Sequence, residues 1–310
     1  MIGRLWKPWF VYNPPQLFGR FLASARPNTP GYQPLSTAWG VPVLADPVKN
    51  VGWSIKTTGV FDLAVSEVLS RLVDPGDVVI DGGANVGYMS LLLSVTAGRH
   101  GTLLSFEPHP ELFGILERNI ATLRRDLPGA RFELHQAALG ETNGTAQLVV
   151  PSEFATNDGL CHLAEDSVSP GATIPVDVET IDACLGARQA KVMKLDVEGY
   201  ELPALRGTAR ALSDHRIRHI VFEDHVGGNS DVVCYLRSAG YQVFALGWSM
   251  RGPILAPVVE GRLASEYEAP SYIASIAPDE AIARMRPRGW RVLSRSASRG
   301  MRRMSARGVA

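Results

Sequence analysis

The segment VVIDGGANVGYMSLLLS, residues 78–94, decides the fold of this chain. It opens with a short apolar run that is typical of a strand buried on both faces. Asp81 ends the run, and the glycines Gly82, Gly83 and Gly87 lead into an apolar stretch long enough for a helix. Glycine allows positive φ angles and a close approach of the backbone to a ligand. The segment therefore predicts a strand, a tight ligand-binding turn and a helix.

Outward from this segment, the chain keeps alternating between strand and helix patterns. Strands are predicted at 78–81, 102–107, 131–139, 191–196, 218–224 and 241–246, with 271–277 as the last strand. Helices are predicted at 60–72, 86–97, 110–125, 201–212 and 231–239. Strands separated by helices form a parallel sheet that helices cover. We therefore predict an α/β, Rossmann-like fold with a mostly parallel sheet and helices on both faces.

Composition divides the 310 residues into three regions. Residues 1–45 are rich in proline and aromatic side chains without a sustained period, and we expect an irregular arm there. Residues 46–283 hold the predicted domain. Within it, residues 140–180 alternate short apolar runs with polar loops, which predicts an insertion that shapes a substrate pocket. Residues 284–310 carry nine arginines and no acid, and we expect this tail to be disordered.

Composition also excludes several classes of protein. Hydrophobic residues make up 45% of the chain, enough for a buried core, but no apolar run is long enough to span a bilayer. The cysteines Cys161, Cys184 and Cys234 are widely spaced and form no zinc motif in the sequence. That pattern fits a reducing compartment, and the first residues lack the pattern of a signal peptide. We therefore expect a cytoplasmic protein without a transmembrane segment.

The net charge of zero conceals an uneven distribution. Residues 46–283 contain all 31 acids but only 18 of the 31 lysines and arginines, which gives this region a net charge of −13. Recognition of nucleic acid usually needs a basic surface on the folded domain. We therefore expect no nucleic-acid partner. The sequence does not indicate an oligomeric state.

Two cofactors compete for the glycine turn. A dinucleotide fingerprint reads G-x-G-x-x-G, with an acid about 20 residues further on. Residues 82–87 read GGANVG, with Ala84 in the middle glycine position, and Glu107 has the expected spacing for a ribose-binding acid. Asp81 directly before the glycines would repel a pyrophosphate, but it could attract the cationic methionine half of S-adenosylmethionine. The electrostatics favour the methyl donor, and a dinucleotide-dependent oxidoreductase is the alternative.

Five blocks follow one another along the chain, and they are VVIDGGANVGYMSLLLS (78–94), FEPHPELFGILERNI (106–120), AALGETNGTAQL (137–148), ETIDACL (179–185) and KLDVEGYELPALRG (194–207). In this order they make the sequence resemble the FkbM family of S-adenosylmethionine-dependent methyltransferases. The resemblance covers about residues 57–250. It implies a class I methyltransferase fold and O-methylation of a hydroxyl on a sugar, a polyketide or another metabolite. A small-molecule or glycan hydroxyl acceptor is the expected partner.

The resemblance also implies a set of donor-binding residues at the carboxyl ends of the first strands. They are Asp81, Gly83, Ala84, Asn85, Gly87, Glu107, Pro108 and Ala138. Within this set we expect Glu107 to bind the ribose hydroxyls, and Asp81 and the glycine loop to surround the methionine half.

Candidate catalytic residues follow the fourth and fifth predicted strands. Lys194 and Asp196 are two residues apart on a strand, so their side chains point to the same face. They form either a structural ion pair or a catalytic unit in which Asp196 or Glu198 contacts the acceptor hydroxyl and Lys194 sets the local charge. A hydroxyl nucleophile needs a base, and His225 is a candidate because histidine exchanges protons near neutral pH. An exposed loop histidine is the alternative interpretation of His225.

Three further expectations concern metals, pocket residues and other histidines. Asp196 with Glu223 or Asp224 could hold Mg²⁺, although a site without metal is favoured. Asn157 and His162, within the insertion, are candidate pocket residues. His109 and His135 are expected to be a loop and a core histidine without catalytic roles. A domain that keeps the methyltransferase fold but acts as a binding module is the alternative from a different functional class.

Overall fold

The computed structural model describes residues 7–12, 29–127, 130–155, 159–163, 172–259 and 270–293. The helices are α1 (Pro8–Tyr12), α2 (Asn50–Thr58), α3 (Leu63–Leu72), α4 (Tyr88–Ala97), α5 (Pro110–Asp126), α6 (Ile181–Leu185), α7 (Glu201–Arg206), α8 (Ala209–Ser213), α9 (Asp231–Ser238) and α10 (Pro278–Met285). The strands are β1 (Gln33–Ser36), β2 (Pro42–Ala45), β3 (Val78–Gly82), β4 (Thr102–Phe106), β5 (Arg131–His135), β6 (Ala137–Leu139), β7 (Gly144–Val150), β8 (His162–Leu163), β9 (Ala172–Glu179), β10 (Ala190–Leu195), β11 (Ile217–Glu223), β12 (Gln242–Ser249), β13 (Gly252–Pro257) and β14 (Ser271–Ser275). None of the helices within these described ranges is both long and apolar enough to cross a membrane.

Eight strands form the central sheet, in the order β13-β12-β14-β11-β10-β3-β4-β5. Strands β5, β4, β3, β10, β11 and β12 run in one direction, whereas β14 and β13 run antiparallel to their neighbours. The predicted last strand, β14, does not lie at an edge but between β11 and β12. The predicted α/β class, with a mostly parallel sheet and helices on both faces, is confirmed.

Alternating side chains of the central strands belong to two separate layers of the core. Val79 and Leu103 pack in the layer that contains residues of α3, α4 and α5. Ile80 and Leu104, one residue further along each strand, pack in the layer that contains residues of α6 to α9. Successive residues of a strand point to opposite faces of the sheet, so both faces of these strands are buried.

The crevice for a ligand is set by the strand order around β3 and β10. These two strands are hydrogen-bonded neighbours, with Lys194 opposite Asp81 in the register. From β3 the sheet continues through β4 to β5, and from β10 it continues through β11 in the other direction. At such a switch point the connections leave in opposite directions, and the carboxyl ends of the two strands border a crevice.

A second sheet covers this end of the molecule. The predicted strand 131–139 is in fact two strands, because β5 stays in the central sheet while β6 pairs with β9 in a sheet of order β6-β9-β7-β8. The predicted insertion thus contains a long antiparallel pair, β7 with β9. Its apolar side chains, which include Leu148 and Val178, form a small core of their own.

One predicted helix is also divided. The sequence predicts a helix over 201–212, whereas the structure has α7 and α8 with Gly207 between them. A Cβ atom at Gly207 would lie 1.9 Å from the carbonyl oxygen of Gly140. The chain therefore needs glycine here for close contact with the insertion, and the continuous helical pattern does not reveal that constraint.

The prediction of an irregular arm over 1–45 is wrong for its last part. Strands β1 and β2 form an antiparallel hairpin in which Gln33 pairs with Ala45. In the loop between them, Trp39 is 1% exposed, and its indole N–H donates to the hydroxyl of Tyr88 at 3.0 Å. The hairpin is thus part of the folded domain. Residues 13–28 lie outside the described residues.

The prediction of a disordered tail from residue 284 is wrong for residues 284–293. Helix α10 extends to Met285, and the side chains of Trp290, Val292 and Leu293 are buried in the core. These apolar residues are interspersed with arginines, so the charged composition of the segment indicates disorder although its apolar side chains are buried. Residues 294–310, which carry the other five arginines of the tail, lie outside the described residues.

Candidate active site

A cavity of about 340 Å³ opens at the carboxyl ends of β3, β4, β10 and β11. Its size falls within the range of small-molecule sites. The lining includes all but two of the residues that were predicted to bind the donor or to act in catalysis. These lining residues are Gly83, Ala84, Asn85, Glu107, Pro108, Ala138, Lys194, Asp196, Glu198 and His225.

The first wall of the cavity is the loop that follows β3. Gly83 has a φ angle of +74°, and a Cβ atom there would lie 1.8 Å from the carbonyl oxygen of Asp196. The N–H groups of Gly83 and Ala84 both donate to the carbonyl oxygen of Phe106, at 3.0 and 2.9 Å. The loop is thus held between β4 and the end of β10, and the position of Gly83 is closed to any larger residue.

The prediction that Asp81 and Gly87 contact the donor is not supported, because neither residue lines the cavity. Asp81 is fully buried beneath the loop, where its Oδ2 accepts the hydroxyl of Ser90 at 2.5 Å. Gly87, with a φ angle of +89°, starts α4, and a Cβ atom there would lie 2.6 Å from the Cδ1 atom of Leu116. Asp81 and Gly87 thus support the loop on the side away from the cavity. Asp81 does so through its hydrogen bond with Ser90, and Gly87 through close packing against Leu116.

Glu107 lies at the end of β4 with its carboxylate fixed by two backbone N–H groups. Oε2 accepts the N–H of Asn85 at 2.7 Å, and Oε1 accepts the N–H of His109 at 2.9 Å. Burial raises the pKa of Glu107 to about 7, although these two hydrogen bonds favour the ionised form. A carboxylate oxygen can accept more than one hydrogen bond, so each oxygen keeps capacity for a ligand hydroxyl.

Lys194 is a buried cation that joins the loop to the end of β10. Its Nζ donates to the carbonyl oxygens of Gly83 at 2.7 Å and Gly82 at 3.2 Å. It also lies 3.3 Å from Oδ2 of Asp196 and 3.6 Å from Oδ1 of Asp81. Burial disfavours this charge, but the two carboxylates outweigh it and raise the pKa of Lys194 to about 12. Lys194 therefore stays protonated and acts as a support, not as a proton acceptor.

Carboxylates crowd the other side of the cavity, and the crowding changes their protonation. Burial, reinforced by the charges of Asp196 and Glu201, raises the pKa of Glu198 to about 7. Burial, reinforced by Asp196 and Glu198, raises the pKa of Glu223 to about 8. Like charges close together cannot all ionise at neutral pH. Glu198 and Glu223 therefore change between their neutral and ionised forms near neutral pH.

His225 and Glu223 form a hydrogen-bonded pair at the cavity. Nε2 of His225 lies 2.7 Å from Oε1 of Glu223, with the histidine side chain 70% exposed and the glutamate side chain 21% exposed. Asp196, Glu198, Glu223 and His225, which follow two separate strands, thus meet at one cavity. A half-buried acid paired with an exposed imidazole gives a proton a path from the cavity to solvent.

The magnesium hypothesis pairs Asp196 with either Glu223 or Asp224, and the structure separates these two versions. Asp224 does not line the cavity, because its Oδ1 accepts the N–H groups of Val226 at 2.8 Å and Gly227 at 3.0 Å. The lining of the cavity therefore does not support a site built from Asp196 and Asp224. A site built from Asp196 and Glu223 stays a prediction.

Several pocket residues were missed or were placed only by their region. His162 lines the cavity as predicted, while Asn157 lies outside the described residues. Asp62 and Cys161 also line it, and sequence reasoning overlooked both. Asp62 caps α3, with its Oδ1 accepting the N–H of Val65 at 3.1 Å. An Asp before an apolar helical pattern signals a cap, but nothing in the sequence signals its position at the cavity.

The lining also discriminates between the two candidate cofactors. Lys194 is the one lysine or arginine among the described lining residues, and carboxylates and carbonyl oxygens surround its ammonium group. A pyrophosphate would therefore meet acids without a free cation. S-adenosylmethionine carries a sulfonium, an ammonium and a ribose diol but no phosphate, and acidic residues suit each of these groups.

Comparison with known proteins assigns the family. Residues 81–243, just over half of the chain, match the family model described as the methyltransferase FkbM domain. The chain therefore belongs to the FkbM family, whose members are S-adenosylmethionine-dependent methyltransferases, and it is a methyltransferase.

Among curated proteins, the chain is 29% identical over 201 residues to the 31-O-demethyl-FK506 methyltransferase FkbM of Streptomyces tacrolimicus, which covers 55% of this chain and 75% of that protein. It is 28% identical over 163 residues to the hexuronic acid methyltransferase AglP of Haloferax volcanii, with 53% of this chain and 62% of that protein covered. Among solved structures, the methyltransferase FkbM of Methylobacillus flagellatus matches with a TM-score of 0.45 and 17% identity, over 67% of this chain and 47% of that one.

Proposed function

We propose that this methyltransferase transfers the methyl group of S-adenosylmethionine to a hydroxyl oxygen of a sugar, a polyketide or another small metabolite. The observation that carries the proposal is the convergence of Glu107 with the Glu223–His225 pair on one cavity. Glu107 is suited to bind a ribose diol, and the Glu223–His225 pair is suited to accept the proton of an acceptor hydroxyl. Two relatives are named for a hexuronic acid and for 31-O-demethyl-FK506 as substrates, and the second name specifies methylation at an oxygen.

The donor end of the cavity is formed by residues of β3, β4 and β6. Ala84 and Asn85 of the glycine loop, Glu107 and Pro108 after β4, and Ala138 in β6 would hold the donor. Glu107 would accept the two ribose hydroxyls on its fixed carboxylate, with one charge-assisted hydrogen bond to each oxygen. When bound, the donor supplies an electrophilic methyl group on a sulfonium. The residues of the chain supply position and proton transfer.

The acceptor end is formed by the residues that follow β10 and β11. Asp196 is engaged with Lys194, whereas Glu223 is engaged with His225. A proton taken by Glu223 can pass to the imidazole and then to solvent, but Asp196 has a permanently charged ammonium group as its partner. We therefore assign the base to the Glu223–His225 pair and give Asp196 and Glu198 the role of orienting the acceptor. This replaces Asp196 as the leading candidate for the base.

Orientation and proton removal are the two contributions that we assign to the residues of this cavity. Methyl transfer is a displacement in which the hydroxyl oxygen must approach the methyl carbon in line with the breaking bond. Holding both reactants in that geometry supplies much of the rate enhancement. General-base catalysis contributes a further factor of roughly 10² to 10⁴.

Calorimetry with the purified chain separates this proposal from its alternatives. S-adenosylmethionine should bind with a stoichiometry of one, and NAD⁺ should not bind at comparable concentrations. Binding of NAD⁺ in preference to the methyl donor would favour the oxidoreductase alternative. Donor binding without turnover on any hydroxyl acceptor would favour the binding module.

A further inference from the structure

A second group of potential ligands lies at the end of β5, beside the donor end of the cavity but outside its lining. His135 ends β5, Glu179 ends β9 and Cys184 lies in α6. Nδ1 of His135 lies 2.7 Å from Oε2 of Glu179, and the thiol of Cys184 donates to the same oxygen at 3.0 Å. All three ligand atoms lie within 4.8 Å of one another. In the part of the chain that the structure describes, this is the one such group of three His, Cys, Asp or Glu residues.

We propose that His135, Glu179 and Cys184 form a zinc site with three protein ligands and one open position. Imidazole nitrogen, carboxylate oxygen and thiolate sulfur are the donor types that Zn²⁺ takes in proteins. A thiolate together with an imidazole selects against the hard cations Mg²⁺ and Ca²⁺. With a neutral imidazole and two anionic ligands, the bound ion would be electrically neutralised.

The present separations are compatible with the ion after a small adjustment. Zinc bonds of about 2.0 to 2.3 Å in a tetrahedral arrangement place ligand atoms about 3.5 Å apart. The two hydrogen-bonded contacts, at 2.7 and 3.0 Å, would therefore open by less than about 1 Å. The histidine and glutamate side chains are 22% and 36% exposed, so an ion can enter from solvent.

The surroundings hold the ligands in place, and the neighbouring guanidinium of Arg188 has partners of its own. Arg188 is the basic residue beside Cys184, where its guanidinium donates to the carbonyl oxygen of Cys184. Its charge is balanced by a bidentate pair with Glu133, at 2.7 and 2.9 Å. The ring of His135 stacks on Phe106 with 4.5 Å between centroids, which fixes the plane of the imidazole.

The site would connect the second sheet and α6 to the edge of the central sheet. It would also lie close to the donor pocket, because the carbonyl oxygen of His135 accepts the N–H of Glu107 at 3.1 Å. An ion that fixed His135 would therefore stabilise the end of β4. Metal bound only by the folded chain raises its stability by mass action.

Spectroscopy with Co²⁺ tests the site without any turnover assay. The full chain is first treated with a chelator to remove metal and is then titrated with Co²⁺, followed by Zn²⁺. A competition with a chromophoric chelator measures the affinity for Zn²⁺. We expect one equivalent to bind, with a thiolate-to-cobalt charge-transfer band that Zn²⁺ removes. Cys184→Ser should abolish the band and weaken Zn²⁺ binding by at least about tenfold, since even outer partners of a zinc site contribute that much.

The other two cysteines provide matched controls. Cys234→Ser and Cys161→Ser should keep both the band and the affinity, because neither residue belongs to the group. If Cys184→Ser does not fold, Glu179→Gln in the same assay tests the site instead. Cobalt binding without the band in the unaltered chain, a band that survives Cys184→Ser, or no binding at roughly 100 μM free ion would overturn the proposal.

Discussion

Glu67 and Arg71 form an ion pair, one turn apart on α3, that holds the C-terminal segment of the domain. Nε of Arg71 donates to Oε1 of Glu67 at 2.6 Å, and both side chains are almost fully buried. The Arg71 guanidinium also donates to the carbonyl oxygens of Pro287 and Gly289, each at 2.7 Å. The Glu67 carboxylate accepts the backbone N–H groups of residues 291 and 292, at 2.9 and 3.0 Å. Residues 287–292 thus supply hydrogen-bond partners to both buried charges.

This pair predicts where the chain can be shortened. A chain ending at Leu293 should fold and bind the donor like the full chain. A chain ending at Pro287 should lose at least about 3 kcal/mol of stability, because a buried ion pair loses hydrogen-bond partners and apolar side chains leave the core. Urea denaturation of the two truncated chains measures the difference. Equal midpoints would mean that residues 288–293 contribute nothing to the fold.

A second prediction concerns the backbone at Gly83. Gly83→Ala introduces a Cβ atom against the carbonyl oxygen of Asp196 at a positive φ angle, so the loop must shift. We expect a loss of at least about 1 to 2 kcal/mol in stability and weaker donor binding. Gly114→Ala is the control, because a Cβ atom there meets open space within α5 and should stabilise the helix by about 0.5 to 1 kcal/mol. Chemical denaturation of both variants measures these changes, and similar effects at the two positions would contradict the role assigned to Gly83.

A third prediction concerns the ribose contact. Glu107→Gln keeps the shape of the side chain but removes its charge, and hydrogen bonds to charged groups contribute about 1.5 to 3 kcal/mol each. Affinity for S-adenosylmethionine should therefore fall by at least about tenfold in calorimetry. Glu117→Gln, an exposed position in α5, should bind like the unaltered chain. If Glu107→Gln binds the donor normally, Glu107 does not contact the ribose.

A fourth prediction follows from the raised pKa of Glu223. Its ordinary value is 4.5 and its value in the fold is about 8, so the folded chain binds this proton more tightly than the unfolded chain does. The stability that the proton contributes is present below about pH 4.5 and is lost as the pH rises through about 8. Without donor, the free energy of unfolding should therefore fall between pH 6 and pH 8.5, and Glu223→Gln should reduce that fall. Urea denaturation at the two pH values, with Glu117→Gln as control, measures the slope. If the free energy of unfolding falls more steeply in Glu223→Gln than in the unaltered chain, the folded chain does not bind this proton more tightly than the unfolded chain does.

The sequence predicts the central sheet well because its signals are local. The apolar strands, the glycine turn and the helical periods each occupy a few consecutive residues, and the strands β3, β4, β10 and β11 occur close to their predicted positions. The position of β14 could not be predicted, because strand order depends on contacts between distant segments. The burial of Trp290 and Val292 was missed for the same reason, since their partners lie on α3.

The candidate site shows the same division between local and distant information. Spacing predicts that Lys194 and Asp196 share a face, and the structure has their charged groups 3.3 Å apart. Spacing does not predict that Asp81 lies beneath the loop, or that Glu223 and His225 form a pair. The group at His135, Glu179 and Cys184 was invisible for a similar reason, because each residue comes from a different element and no zinc motif appears along the chain.

The central claim is methyl transfer to oxygen, and transfer of an isotopic label tests it most directly. The purified chain is incubated with S-adenosylmethionine that carries a trideuteriated methyl group and with a metabolite extract rich in sugars and polyketides. Mass spectrometry then searches for new labelled compounds and locates the label by fragmentation. The account predicts a labelled methyl group on oxygen, with roughly 10² to 10⁴ times less product from Glu223→Gln and unchanged product from Glu117→Gln. A label found only on nitrogen or carbon, or full activity in Glu223→Gln, would contradict the account.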